Sequence, residues 1–137
     1  MNRRKNDDIR LGNLHLDKVR IEELDRRIRK IFRERKPYLQ VNYTLTRMAK
    51  DLDVPVHLLS AFVNHFYVMN FSDFINRERI LNCLSMIVDM DWKNKKIETI
   101  AKEFGFRNRN TFRKAFKRNM GMTPSKYLKN KIGSHEQ

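Results

Sequence analysis

Apolar residues first recur at helical spacing beyond residue 17, where Ile21, Leu24, Ile28, Ile31 and Phe32 line one face of a helix predicted over about 17–35. The opposite face carries Arg26, Arg27, Arg29, Lys30 and Arg33. Pro37 ends this helix, because its ring forbids continuation and restricts Lys36 as well. Residues 1–16 are polar, mixed in charge and without period, and read as a frayed leader. Thr44 is the predicted N-cap of a helix over 45–52, and Pro55 suits the first turn of another that runs to about residue 66. A longer helix is predicted over about 72–88, with Phe74, Ile75, Leu81, Leu84 and Ile87 on its buried side. A polar connection over 89–94 leads to a helix at about 95–104, a turn at Gly105 and a helix at about 109–119. Thr123 and Pro124 then open a last helix as cap and first helical residue. About seven helices and no strand result, so the expected class is all-α.

Part of this pattern occurs twice. Ile97, Ile100, Ala101, Phe104, Gly105 and Phe106 return 52 positions earlier as Leu45, Met48, Ala49, Leu52, Asp53 and Val54. Residues 121–128 (GMTPSKYL) answer residues 68–75 (VMNFSDFI) at a shift of 53, pairing Met122 with Met69, Ser125 with Ser72 and Tyr127 with Phe74. Each copy is a short amphipathic helix, a tight turn and a second helix, the order of a helix-turn-helix. Such a unit needs a small residue where its helices cross, supplied by Ala49 and Ala101. It also needs a turn residue that tolerates positive φ, which Gly105 does freely and Asp53 more reluctantly.

Composition narrows the partner. Four Gly and three Pro in 137 residues argue against a turn-rich β protein. A formal net charge of +14 calls for an anionic partner or a large solvated face. No apolar run approaches the roughly 20 residues that a membrane-spanning helix needs, and no signal-peptide pattern opens the chain, so no membrane contact is expected. The lone Cys83 excludes an internal disulfide, suits a reducing cytoplasm and reads as a small buried hydrophobe. His57 and His65, with Cys83 far along the chain, show no metal-ligand spacing. Gly-rich phosphate loops, nucleophile motifs and convincing carboxylate pairs do not occur, so neither cofactor nor enzymatic activity is expected.

The basic residues cluster on the second copy. Phe106, Phe112 and Phe116 hold its second helix against the first, leaving a face with Arg109, Asn110, Arg113, Lys114 and Lys117, preceded by Arg107. These donor-rich side chains can reach base edges and phosphates in a major groove. From Phe104 to Lys131 there are nine Lys or Arg and no acidic residue. The basic run over 26–36 reads equally well as a solvated face.

The segment GFRNRNTFRKAFKRNMGMTPSKY resembles the C-terminal signature of the AraC/XylS-type bacterial transcription regulators: a Gly-Phe turn, a Phe-rich recognition helix with basic residues, and a closing Gly-x-Thr-Pro-x-x-Tyr. KPYLQVNYTLTRMAKDL and NFSDFINRERI resemble the family's first unit and the linker helix that follows. The likeness implies a DNA-binding domain over about 17–131, with a first unit over 17–71, a linker helix over 72–88, a second unit over 89–131 and a tail over 132–137. It further implies two recognition helices set in successive major grooves of double-stranded DNA. The second contains Arg109, Asn110, Arg113 and Lys114; the first spans residues 55–66, with His57, Ser60, Ala61 and Asn64 toward the groove. The first unit departs from the family in having Val68 where glycine is usual and a recognition helix without Lys or Arg, which assigns the electrostatic grip mainly to the second.

The expected function is a sequence-specific, cytoplasmic transcription regulator, an activator with RNA polymerase as a further partner. Regulators of this type carry a sensing or dimerisation domain ahead of the DNA-binding part, so the leader reads as a linker remnant of an excised C-terminal piece, a small free-standing activator being the other option. The competing functions are a helical adaptor docking on an acidic protein such as a polymerase subunit, and a non-specific nucleic-acid binder. An adaptor has no reason to set Arg109, Arg113 and Lys114 beside Asn110, an adenine-reading type of residue.

Overall fold

The computed structural model describes residues 8–11, 14–87, 89 and 94–135. Among these, the elements run β1 (Ile9–Leu11), β2 (Leu14–Leu16), α1 (Lys18–Glu34), a 3-10 turn at Pro37–Leu39, α2 (Leu45–Leu52), α3 (Val56–Phe66), α4 (Phe71–Met86), α5 (Ile97–Glu103), α6 (Arg109–Met120) and α7 (Pro124–His135). The all-α class holds. The polar connection expected over 89–94 lies mostly outside the described residues.

One stretch departs from expectation. Within the supposed leader, β1 and β2 pair antiparallel with Ile9 opposite Leu16 and Leu11 opposite Leu14. Ile9 and Leu16 are buried, and β1 lies against α3. Alternation explains why the signal was faint: a three-residue strand buries one or two side chains, too few for a period to register.

The chain divides into two compact units, residues up to Pro37 with Tyr43–Phe74, and Tyr38–Asn42 with the chain from Ile75 onward. In the first, Asp17 caps α1 by accepting from the Arg20 N–H at 2.9 Å, and Ile21, Leu24, Ile28 and Phe32 form the buried stripe. Asp25 is buried on the same stripe. Its carboxylate accepts from the Tyr67 hydroxyl at 2.8 Å and from Arg29 Nε at 2.9 Å, which meets the requirement that a buried charge be paired. Thr44 caps α2 as expected, accepting from the Arg47 N–H at 3.2 Å. The Arg27 guanidinium donates to the Leu52 carbonyl at the other end of α2. Phe74 stacks on Phe32 and Tyr67, with centroids 5.6 and 4.4 Å away.

The core of the second unit gathers Ile80, Cys83, Ile87, Ile100, Ala101, Phe104, Phe106, Phe112, Ala115, Phe116 and Leu128. Cys83 is fully buried, which pushes its thiol pKa up to about 12. Leu81, expected on the buried side of α4, is instead 53% exposed. The other expected positions hold: Phe74, Ile75 and Ile87 are buried and Leu84 packs partly buried against the core, while Ile80 and Cys83 are buried beside them, next to Arg79. Its Nε donates to the Tyr38 carbonyl at 2.6 Å, Nη2 to the Gln40 carbonyl at 3.0 Å and Nη1 to Asn76 Oδ1 at 3.2 Å. The guanidinium also lies 5.5 Å from the Phe106 ring centroid. Burial lowers its pKa to about 10, so it remains charged at neutral pH.

Candidate nucleic-acid interface

The turn between the two helices of each repeat is built the same way. In the first, Asp53 adopts φ 54° and ψ 49°, its N–H bonds to the Lys50 carbonyl at 3.1 Å, and the Val54 N–H bonds to the Ala49 carbonyl at 3.0 Å. In the second, Gly105 adopts φ 92°, its N–H bonds to the Lys102 carbonyl at 3.0 Å, and the Phe106 N–H bonds to the Ala101 carbonyl at 2.9 Å. Both are left-handed helix ends closed by a pair of nested bonds, which satisfy carbonyls that the helix would leave open. Ala49 and Ala101 are buried at 2% and 0% exposure, so each also supplies the small crossing residue expected of it.

Gly105 is required for a second reason. A Cβ on it would lie 2.5 Å from the Tyr38 carbonyl oxygen and 2.8 Å from Arg79 Nε. The turn that feeds α6 is thus pressed against the segment Arg79 holds, and only hydrogen fits between them.

In α6, Asn108 is the N-cap. Its side chain accepts from the Thr111 N–H at 2.9 Å, and Thr111 Oγ1 accepts from the Asn108 N–H at 3.4 Å, a reciprocal capping box. Its sequence signal is an Asn three residues before a Thr. This box fixes where the helix starts, and so which residues occupy its first turn. Phe112, Ala115 and Phe116 face the core. Arg109, Asn110, Arg113, Lys114 and Lys117 are all exposed, and Arg107 is exposed in the loop just before the cap. All six residues singled out in this unit are therefore accessible. Arg109 is paired: its Nη1 lies 3.4 Å from Glu98 Oε1 in the first turn of α5, a contact the sequence reading missed.

In α3, His57 and Asn64 are exposed and Ser60 is half-buried, at spacings of three and four that align them on one stripe. Asn64 Nδ2 donates to the Ser60 carbonyl at 2.8 Å, one turn back along the helix. Ala61 lies one turn from His57 on the same side of the helix but is only 7% exposed, within a buried run with Phe62 and Val63. The helix starts one residue later than expected, with Pro55 as N-cap rather than first helical residue.

Among the described residues no group of three metal-ligating side chains occurs, and no helix is long and apolar enough to cross a membrane.

Two helix-turn-helix turns of one geometry, each leading to a helix with one buried and one accessible side, define a double helix-turn-helix domain. A family model described as "Helix-turn-helix domain" matches residues 48–130, and the chain belongs to that family, in its AraC/XylS-type C-terminal DNA-binding form. No curated protein matches the sequence. Solved structures share the fold. The C-terminal domain of AraT, a response regulator from Geobacillus stearothermophilus, superposes with a TM-score of 0.66 at 23% identity, over 81% of this chain and 88% of that one. A DNA-binding transcriptional dual regulator from Escherichia coli K-12 gives 0.64 at 21% identity, over 80% and 93%. The DNA-binding domain of AdpA, a global transcriptional factor solved in complex with a target DNA, gives 0.66 at 14% identity, over 85% and 96%.

Proposed function

We propose that this chain is a sequence-specific transcription regulator that reads two successive major grooves of duplex DNA, with α6 as the stringent reader and α3 as the weaker one. The observation that carries the reading is the accessible side of α6: two arginines and an asparagine in its first turns, Lys114 and Lys117 behind them, and no acidic residue from Phe104 to Lys131. Arg matches guanine O6 and N7 and Asn matches adenine N6 and N7 in the major groove, while Lys suits phosphate. The stripe on α3 offers His57, Ser60 and Asn64, which can donate and accept but bring no fixed positive charge. As a regulator the protein would act on RNA polymerase bound beside its site, within a reducing cytoplasm.

Reading two successive major grooves on one face requires recognition segments about 34 Å apart, one turn of B-DNA. Because α3 and α6 differ in sequence, the site is asymmetric. Site selection from random duplexes supplies the sequence, and footprinting on variants of it tests the architecture. Inserting about five base pairs between the two segments rotates one groove half a turn out of phase, which should remove protection over the α3 segment and leave the α6 segment protected. Protection of one groove only, indifferent to spacing, would show α3 to be scaffold. Failure to enrich any sequence would overturn the specific reading altogether.

A further inference from the structure

Arg79 is a buried cation on α4, and its partners belong with it to the second unit. Tyr38–Asn42 stands between α1 and α2 in the chain but packs in that unit, and Arg79 binds it at two carbonyls, those of Tyr38 and Gln40. Asn76, one turn back on α4, accepts a third bond. The turn into α6 is seated on this assembly. A Cβ on Gly105 would lie 2.5 Å from the Tyr38 carbonyl oxygen, 2.8 Å from Arg79 Nε and 3.1 Å from Leu39 Cα. The next residue, Phe106, has its ring centroid 5.5 Å from the guanidinium and 5.3 Å from that of Phe112, which lies in the first turn of α6. Contacts thus run without a gap from Arg79 to the start of the helix that carries Arg109 and Asn110. Three bonds from one planar fork fix a segment as a lysine's point charge cannot.

We propose that Arg79 is a positioning residue for base readout: by fixing residues 38–40 beneath the Gly105 turn, it sets where the first turn of α6 presents Arg109 and Asn110. The inference rests on the sequence-specific reading above. A base edge accepts a bidentate pair of bonds only within narrow limits of distance and angle, whereas a phosphate accepts a lysine from many directions. A loosened seat must be ordered again before the bases can be read, and that ordering weakens binding. It is required on the right sequence. On a wrong one the lysines of α6 hold phosphates without it. Loosening the seat therefore weakens the right sequence more than the wrong one.

The test measures affinities of Arg79→Lys for the selected site, its single-base variants and a scrambled duplex, at one salt concentration and well below the melting transition. The substitution keeps the charge and loses the fork. Preference at the base pairs read by Arg109 and Asn110 should fall by about threefold or more, a part of what bidentate contacts supply. Affinity for the scrambled duplex should change by less than about twofold, because the phosphate contacts remain. Preference at the base pairs under α3 should stay as it was. In an Arg109→Ala background, Arg79→Lys should bring no further loss at the base pairs that Arg109→Ala itself relaxes. Gln40→Gly provides a second variant, since it removes only an exposed side chain and frees the backbone of the seat; it should lower the same preference by about twofold. If Arg79→Lys does not fold, Gln40→Gly decides alone. Loss by an equal factor on selected and scrambled duplexes would reduce Arg79 to a general support of the fold and overturn the proposal. So would an unchanged preference in the folded variant, or a further loss that persists without Arg109. A wild-type protein with no preference between the duplexes would instead refute the sequence-specific reading, and the proposal with it.

Discussion

Val68, one residue beyond the C-cap of α3, has the positive φ that Gly121 has at the end of α6, 59° in one and 75° in the other. For glycine this backbone is free of strain; for a β-branched residue it brings Cβ against the following carbonyl, at a cost of roughly 1–2 kcal/mol. The Val68 side chain is 76% exposed, so it recovers little of that by packing. Val68→Gly should therefore stabilise the protein by about 1 kcal/mol, after allowance for the greater freedom of glycine in the unfolded chain. Denaturant melts should show the midpoint rising with an unchanged slope. A lowered midpoint would mean that the valine side chain has a role its exposure conceals.

The two positive-φ glycines should respond very differently to the same substitution. A Cβ at Gly121 meets nothing within 4 Å, so Gly121→Ala carries only the backbone strain, about 1 kcal/mol. At Gly105 the Cβ would fall 2.5 Å from the backbone oxygen of Tyr38, which cannot rotate away as a side chain could. Gly105→Ala should cost more than about 3 kcal/mol and loosen the start of α6. Thermal melts of both variants decide the matter: equal losses would mean that the Tyr38–Asn42 segment yields easily.

The hairpin carries a prediction of its own, since it was not expected to be structured. Leu16 is 1% exposed and fully enclosed within the first unit. Leu16→Ala should destabilise by about 2–4 kcal/mol, the range for an apolar side chain deleted from a packed site. A loss below about 0.5 kcal/mol would return these residues to the status of a frayed leader.

Much of this fold is legible in the sequence because local signals and packing agree. Thr44 and Thr123 each cap the helix they precede, as a hydroxyl next to an apolar period predicts, whereas Asp17, placed within the first helix by its spacing, proves to be its cap. The repeat located both turns, because Asp53 and Gly105 follow their crossing alanines at one spacing. What escaped is what depends on residues far apart in the chain. Arg79 reads as one more surface cation until Tyr38, Gln40 and Phe106 are brought around it. Arg79 and Ile80 are buried where Leu81 is exposed, and a count of apolar positions within one helix does not distinguish the neighbours. Ala61 shares the side of α3 that carries His57, Ser60 and Asn64, but it is buried, which helical spacing alone does not reveal. The Glu98–Arg109 pair joins two helices across a turn and has no local signature.

Charge dictates how binding depends on salt. Nine cations and no acid lie between Phe104 and Lys131. If about six phosphates are neutralised, affinity should fall by on the order of a thousandfold between about 50 and 200 mM monovalent salt. Titrations across that range measure the slope directly. A flat profile would rule out a nucleic-acid partner and favour an adaptor that docks on protein.

The roles along α6 can be separated by substitution. Arg109 stands at the N-terminal end of the helix, where side chains meet base edges, whereas Lys117 lies two turns further on, in its C-terminal half. Arg109→Ala should cost roughly 1–3 kcal/mol on the selected site and relax preference at one or two base pairs. Lys117→Ala should weaken binding to all sequences by a similar factor and reduce the salt slope by about one, because phosphate contacts carry no sequence information directly. Both side chains are exposed, so neither change should lower the melting temperature appreciably, and a loss of binding can be read as a loss of contact. Binding constants over a panel of single-base variants of the site distinguish the two. A uniform loss with Arg109→Ala, leaving the preferred sequence intact, would move base reading from the start of α6 to Arg113 and Lys114, one turn further along.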